Sequence, residues 1–466
     1  MLSFLLVRLY TDLLPEDEYG ELSIVFAWIV LFNVILAYGM ETAFFRFYNT
    51  EDKEKVLNTS TLSLLWSSLL FLAGGLLFRD NLAEAVNVKT EYITYTIWIL
   101  VLDALVIIPF SRLRAQGKPM YYAIIKIANV GVNLGLNVFF LLYLPKLAAA
   151  YPGSFINTIY FKGFEIGYIF VSNLVASLLT FVILTPHYFR LKGHFDKVLW
   201  YKMMQYSLPV MVAGIAFAIN ETFDRILLEK LLPLPETMAK AEVGVYSACY
   251  KLALFMTLYA TAFRLGIEPF FFSYAKNENA KQTYAMITKY FVIFGSVILL
   301  CVVVFADILK VVFINKDYWE GMAVVPLIIL ANFFLGIYHN LSVWYKLSDK
   351  TKIGAYISIA GAIVTLALNI ILIPAYSYVG SAIATLAAYA TMMGISYYFG
   401  NKYYPISYDV KRIGLYLSVS ILLSALCFYI DILRETFIFG IISILLFIAL
   451  VYKYEKTTLQ GIIRRR

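Results

Sequence analysis

The sequence predicts an all-α polytopic membrane protein of about 14 transmembrane helices, two six-helix lobes followed by two additional helices. Three observations predict it. The 466 residues are 61% hydrophobic and only 15% charged, whereas a soluble globular chain carries about 25% charged residues. Apolar stretches long enough to cross a bilayer recur from end to end with short loops between them, so little chain remains for a folded soluble domain. Segments of the first half also lie over segments of the second in the same order, the mark of a parallel internal repeat.

Apolar windows place helices at roughly 1–14, 20–45, 58–78, 92–113, 120–144, 164–186, 204–231, 242–272, 284–313, 322–346, 352–374, 377–400, 411–430 and 435–453. The first is short. MLSFLLVRLYTDLLP is apolar from Met1, carries Arg8 at its centre and stops at Pro15, about half of the ~20 residues a spanning helix needs. A half-span leaves backbone amides unpaired in hydrocarbon. The expectation is therefore a natural start upstream of Met1, with a tolerated stub as the alternative.

With the amino terminus in the cytoplasm, the cytoplasmic loops carry Arg46, Lys53 and Lys55; Arg112, Arg114 and Lys118; Arg190, Lys192, Lys197 and Lys202; Lys276 and Lys281; Lys346, Lys350 and Lys352; and Lys402, Lys411 and Arg412. The tail adds Lys453, Lys456, Arg464, Arg465 and Arg466. Opposite loops hold less than half as many bases: Arg79, Lys89, Lys146, Lys162, Lys230, Lys240, Lys310, Lys316 and Arg434. The asymmetry satisfies the positive-inside rule and puts both termini in the cytoplasm. Cys249, Cys301 and Cys427 all lie in apolar runs, which indicates neither a disulfide framework nor a metal site. The opening run lacks the basic start and small-residue cleavage site of a signal peptide.

The repeat is plain in helices five and eleven. KPMYYAIIKIANVGVNLGLNVFFL (118–141) lies over KTKIGAYISIAGAIVTLALNIILI (350–373), matching Lys118 to Lys350 and Asn137 to Asn369. Residues 19–48 resemble 243–274, and RLYTDLLP (8–15) falls on RILLEKLLP (225–233), so Arg8 with Asp12 corresponds to Arg225 with Glu229. Six is an even number, so the duplicate keeps its topology. Parallel repeats of this kind are common in secondary transporters, whose sites lie near the midplane where the halves meet. The boundaries expected are 1–190 and 191–405 for the two lobes, with 406–466 as two added helices and a basic tail.

Several motifs carry a family resemblance over nearly the whole chain. They are L-Y-T-x-L-L-x-x-x-x-Y-G after helix one, G-x-E-x-x-x-F-R closing helix two, and D-R followed by V-G-x-Y-S joining helices seven and eight. In this order and spacing, with the 6 + 6 + 2 arrangement, the chain resembles the polysaccharide exporters of the multidrug/oligosaccharidyl-lipid/polysaccharide (MOP) superfamily, which include bacterial O-antigen flippases and share the MATE-like fold. The resemblance implies two lobes that open a central cavity alternately to each side of the bacterial cytoplasmic (inner) membrane. It implies an undecaprenyl-pyrophosphate-linked oligosaccharide as cargo, in O-antigen, capsule or exopolysaccharide synthesis, with other polysaccharide-assembly proteins as partners. No nucleic-acid partner, enzyme activity or cofactor is expected, beyond a proton or sodium ion coupled to transport.

A charge at mid-bilayer is costly, so intramembrane basic residues face a wet cavity or a partner. A guanidinium suits a diphosphate because its fork donates two hydrogen bonds to neighbouring oxygens. Arg8 and Arg225, on helices that line the cleft in the resembling family, are the first candidates for it. The alternative is an anchor neutralised by Asp12 and by Glu221 or Glu229. Lys126, Asn129, Asn133 and Asn137 are spaced 3, 4 and 4 on helix five, so they form one polar stripe suited to a sugar-lined wall, or to helix contact. Lys251 and Arg264 in helix eight are thirteen residues apart, about 20 Å along the axis, and could form successive phosphate stations. Asp103, central in helix four, heads the ion-coupling candidates, followed by Glu41, Asp224 and Glu268 nearer helix ends; His339 is a further proton site. Asp103 could equally neutralise Lys126.

Two other classes compete. A MATE-like drug or cation antiporter should have a carboxylate-dominated cavity. A polytopic glycosyltransferase or polymerase should have a large catalytic loop, and the longest outer loop here, near 145–163, is small and nearly uncharged.

Overall fold

The computed structural model describes residues 6–463 apart from Arg190, Lys192, Lys276, Asp349, Glu435 and Thr436. Expectations that concern Met1, Arg190, Lys192, Lys276 and the tail Arg464, Arg465 and Arg466 lie outside these residues. Among the described residues every regular element is helical, as lipid requires of a chain with no closed barrel.

The first helix, α1, is Leu6–Leu13. Among the described residues, twelve helices are long and apolar enough to cross a membrane. They are α2 (Glu16–Tyr48), α3 (Lys53–Leu77), α4 (Thr90–Ala115), α5 (Pro119–Ala150), α6 (Glu165–His187), α7 (Lys197–Leu231), α8 (Glu236–Glu268), α9 (Ala280–Val304), α10 (Lys316–Leu347), a double helix Lys352–Tyr403, α13 (Val410–Tyr429) and α14 (Ile438–Lys456). The double helix is broken at Ser377, whose φ of 47° and ψ of −137° are not helical. It is α11 (352–376) and α12 (378–403), and the fourteen expected helices are recovered.

Helix starts lie upstream of the apolar windows because polar first turns cap them. Asp52 Oδ1 accepts from the Glu54 and Lys55 amides at 3.0 and 2.8 Å, which begins α3 at Lys53. Three carboxylates fill the first turn of α2, where the helix dipole favours negative charge. Turns inside the membrane segments also have local causes. Pro374 ends α11, Ser377 donates to Glu242 Oε2 at 2.6 Å, and Ser381 donates to Asn369 Oδ1 at 2.7 Å across the hairpin. A Cβ on Gly380 would stand 2.5 Å from the Leu372 carbonyl oxygen, so that turn requires glycine. The repeat persists in detail: Asn137 donates to the Asn133 carbonyl at 2.8 Å and Asn369 to the Thr365 carbonyl at 2.7 Å.

The chain divides into two compact units, Leu13–Phe223 and Asp224–Arg466 with the segment up to Asp12. This boundary lies within α7. The first part of α7 packs in the first unit: Leu199 and Met203 join a core with Met40, Phe44, Leu64 and Ile108, and Trp200 donates to Ser63 at 2.8 Å. α1 belongs to the second unit, where Thr11 accepts from the Asn315 amide at 3.1 Å and Asp12 accepts from Asn315 Nδ2 at 2.9 Å.

The two added helices belong to the second unit as well, held against α9 by a charge cluster at each end. At one end Glu455, fully buried, accepts from Lys289 at 2.7 Å, Arg412 at 3.1 Å and Tyr416 at 3.0 Å. At the other Arg434 forks onto Asp307 at 2.6 and 2.7 Å, with Lys310 2.6 Å from the same carboxylate. Midway Ser420 donates to Ser296 at 3.2 Å, and Val304 stands where a Cβ on Gly440 would be. The Arg434 hydrogen bonds, then those of Lys310, hold Asp307 down to about 2 against some opposing desolvation.

Two predictions follow from these clusters. Glu455→Gln leaves the mostly buried Lys289 without its carboxylate, while the more exposed Arg412 keeps Asp409, and breaking a buried pair costs about 3–5 kcal/mol. The thermal midpoint of the detergent-solubilised chain should fall accordingly, and an unchanged midpoint would refute the clamp. Asp307 has a folded pKa below its unfolded value near 3.9, so its contribution is present above that pH and is lost as pH falls toward about 2. Asp307→Asn should flatten the acid limb of the stability profile between about pH 4 and 2.

Candidate functional site

Within the first unit, α2, α4, α5 and α6 enclose a polar cavity of about 350 Å³. Its walls include Asp103, Lys126, Asn129, Asn133 and, unforeseen in the sequence, Asn33, Asn173, Ser177 and Thr180. The 3 and 4 spacing along α5 puts Lys126, Asn129 and Asn133 on one face, as a helix must. Asn137, the last of that stripe, is fully buried behind the wall, and its Nδ2 donates to the main-chain carbonyl and to Oδ1 of Asn133, at 2.8 and 3.1 Å.

Hydrogen bonds fix the walls. Asn129 donates to Thr180 at 2.9 Å, and Thr180 donates to the Ala176 carbonyl at 2.9 Å. Ser177 donates to Asp103 Oδ1 at 2.8 Å. The Lys126 ammonium lies 4.7 Å from the centroid of the Phe110 ring, a cation–π distance. Asp103 and Lys126 attract each other across the cavity, yet neither makes an ion pair within 4 Å among the described residues.

The other candidates are already engaged. Glu41 is paired with Arg114, whose guanidinium also lies over Phe45 and Tyr122. Glu268 accepts from Lys346 at 2.5 Å. Asp224 is buried, and it accepts from Arg225 Nη1 at 2.9 Å and Tyr246 at 2.6 Å. Asp224, its neighbour in sequence, is thus one partner of Arg225, whose guanidinium also lies 4.5 Å from the Tyr250 ring centroid. Arg8 donates to Asp12 at 2.8 Å and to the Val311 and Ile314 carbonyls at 3.1 and 2.8 Å. These carbonyls lie past the end of the Ala306–Phe313 helix and in its last turn, where a cation is favoured.

Arg264 lies 3.4 Å from His339 Nε2, in a small pocket with Glu268, Asn340 and Lys346. Lys251 occupies the 3₁₀ turn Lys251–Ala253 that interrupts α8, and repels Arg225. Among the described residues no group of three or more His, Cys, Asp or Glu is placed to hold a metal ion.

A family model described as "Polysaccharide biosynthesis protein" matches residues 1–275. Among solved structures, the lipid II flippase MurJ in an inward closed conformation is similar at a TM-score of 0.68 and 15% identity, covering 97% of this chain and 99% of that one. A multidrug resistance MATE family transporter of the MOP superfamily, inward-facing, is similar at 0.65 and 13% identity, covering 90% and 95%. These likenesses establish the fold. An uncharacterized membrane protein of Methanocaldococcus jannaschii, MJ1375, is 22% identical over 184 residues, 40% of this chain. That match spans 42% of the archaeal protein's own length.

The geometry separates lining from packing. Asn129→Leu removes one bond between α5 and α6, worth at most about 1.7 kcal/mol between membrane helices, so the thermal midpoint should drop only slightly. A collapse of the fold would make Asn129 a packing residue.

Proposed function

Since the chain belongs to the polysaccharide biosynthesis protein family, we propose that it moves a lipid-linked oligosaccharide across the membrane, with the cavity of the first unit as a headgroup site. The carrier is an undecaprenyl pyrophosphate and the product an O-antigen, capsule or exopolysaccharide precursor. The membrane is the bacterial cytoplasmic membrane, with both termini in the cytoplasm. Other polysaccharide-assembly proteins act beside it.

The observation that carries this reading is an ammonium at membrane depth with no carboxylate in contact, in a row with two amides. Amides donate to and accept from sugar hydroxyls, and the ammonium offers a diphosphate a point charge with three donors. Lys126 replaces Arg8 and Arg225 as the first candidate, because Arg8 is committed to carbonyls and an acid and Arg225 to its neighbouring carboxylate. Lys251, on α8, is the candidate in the second unit, although the repeat sets Ser358 opposite Lys126. Asp103 is the ion-coupling group: Glu41, Asp224 and Glu268 each touch a cation and Asp103 does not. The antiporter reading would need an acid-dominated cavity, and this one holds one acid and one base.

The test is complementation of polysaccharide export with variants of matched expression. Lys126→Gln should cut export about tenfold or more, with Lys126→Arg largely retaining it, since a bidentate or point cation both serve a phosphate. Export by Lys126→Gln at the wild-type level would refute the headgroup assignment. Asp103→Asn should abolish the response of export to an ion gradient, and an undiminished response would remove Asp103 from coupling.

A further inference from the structure

The first unit holds a second cavity, of about 700 Å³, that shares no residue with the polar one. α2, α3, α4 and the short helix Arg79–Val86 line it with Trp28, Phe32, Phe71, Leu82 and Ile97 among others. Glycines make the room. A Cβ on Gly74 would meet nothing within 4 Å, and the nearest neighbour of one on Gly75 would be Ile97, at 3.1 Å. The cavity is continuous with lipid-facing surface, because Phe78 and Leu82 at its edge are exposed beside exposed Leu70 and Leu77.

Water is a poor occupant here. An apolar cavity of about 150 Å³ lined by Leu, Ile and Phe stays dry and takes benzene, and this one is several times larger. Apart from the Trp28 indole, Thr96 supplies its one polar side chain, and that hydroxyl is buried at 7% exposure with no hydrogen-bond partner. The occupant therefore has a long apolar body and one acceptor. Thr96 lies six residues into α4 from Thr90, about 9 Å below the helix start, which is the depth of the boundary between headgroup zone and hydrocarbon. Ester carbonyls of a glycerolipid lie at that boundary. At the helix-start level the exposed charges have both signs, Arg79 and Lys89 with Asp80, Glu84 and Glu91. A headgroup bearing a phosphate and an amine is matched there, whereas an anionic one meets unbalanced carboxylates.

We propose that this cavity is a lipid site that holds one acyl chain of a zwitterionic, amine-bearing glycerophospholipid, its ester carbonyl accepting from Thr96. The site is independent of the cargo reading above. The test uses the full chain in nanodiscs of equal phosphatidylethanolamine and phosphatidylglycerol, with native mass spectrometry of retained lipid. Wild type should retain phosphatidylethanolamine in preference. Gly74→Phe should lower retention about tenfold or more by filling the space. Thr96→Val, isosteric and safe for the fold, should weaken it about fivefold, the worth of one neutral hydrogen bond. Leu70→Phe, outside the cavity, should change nothing. Equal retention of both lipids by wild type, or unchanged retention by Thr96→Val, overturns the proposal.

Discussion

The structure depends on one constraint: in hydrocarbon, polar groups must find partners inside the protein. Helices satisfy the backbone, and charged side chains pair. Glu455 collects three donors, Asp307 two bases, and Arg8 an acid and two carbonyls. Against this background the loosely matched groups identify themselves. Asp103 and Lys126 face one cavity without touching, and the Thr96 hydroxyl faces another with no acceptor. The buried Thr96 hydroxyl costs stability while it lacks an acceptor, and the exposed Lys126 ammonium touches no carboxylate among the described residues, so both are places where a ligand has something to supply.

The same constraint explains why the two added helices belong to the second unit. A helical hairpin in lipid gains little from apolar burial, because the lipid is as apolar as its neighbours. Ion clusters at both ends and the serine contact in the middle therefore fix its place against α9.

Much of the fold was legible in the sequence because hydropathy reports lipid contact directly. All fourteen helices were placed, including the break after Pro374, since proline and a non-helical Ser377 interrupt one apolar run. Helix starts were set late, because capping residues such as Asp52 are polar and invisible to an apolar window. The unit boundary inside α7 was illegible, as it depends on which core Leu199 and Met203 join. At the site, Lys126, Asn129 and Asn133 were readable from their spacing on one helix. Asn33 comes singly from α2, whereas Asn173, Ser177 and Thr180 are spaced 4 and 3 on α6, a second stripe that the same helical spacing signals; only folding sets the two stripes around one cavity. Glu455 and Lys289 are 166 residues apart and carry no local signal of their pairing.

The central claim is that an unpaired ammonium and an uncompensated carboxylate in one amide-lined cavity handle a phosphorylated glycolipid headgroup. Its most direct measurement is translocation of an undecaprenyl-pyrophosphate-linked oligosaccharide by the purified chain in proteoliposomes, followed by the accessibility of the sugar to an external glycosidase. The account predicts that the wild-type chain speeds exchange between leaflets and that neutralising Lys126 and Asp103 together returns it to the rate of protein-free vesicles. Unaltered exchange with both charges removed would contradict it.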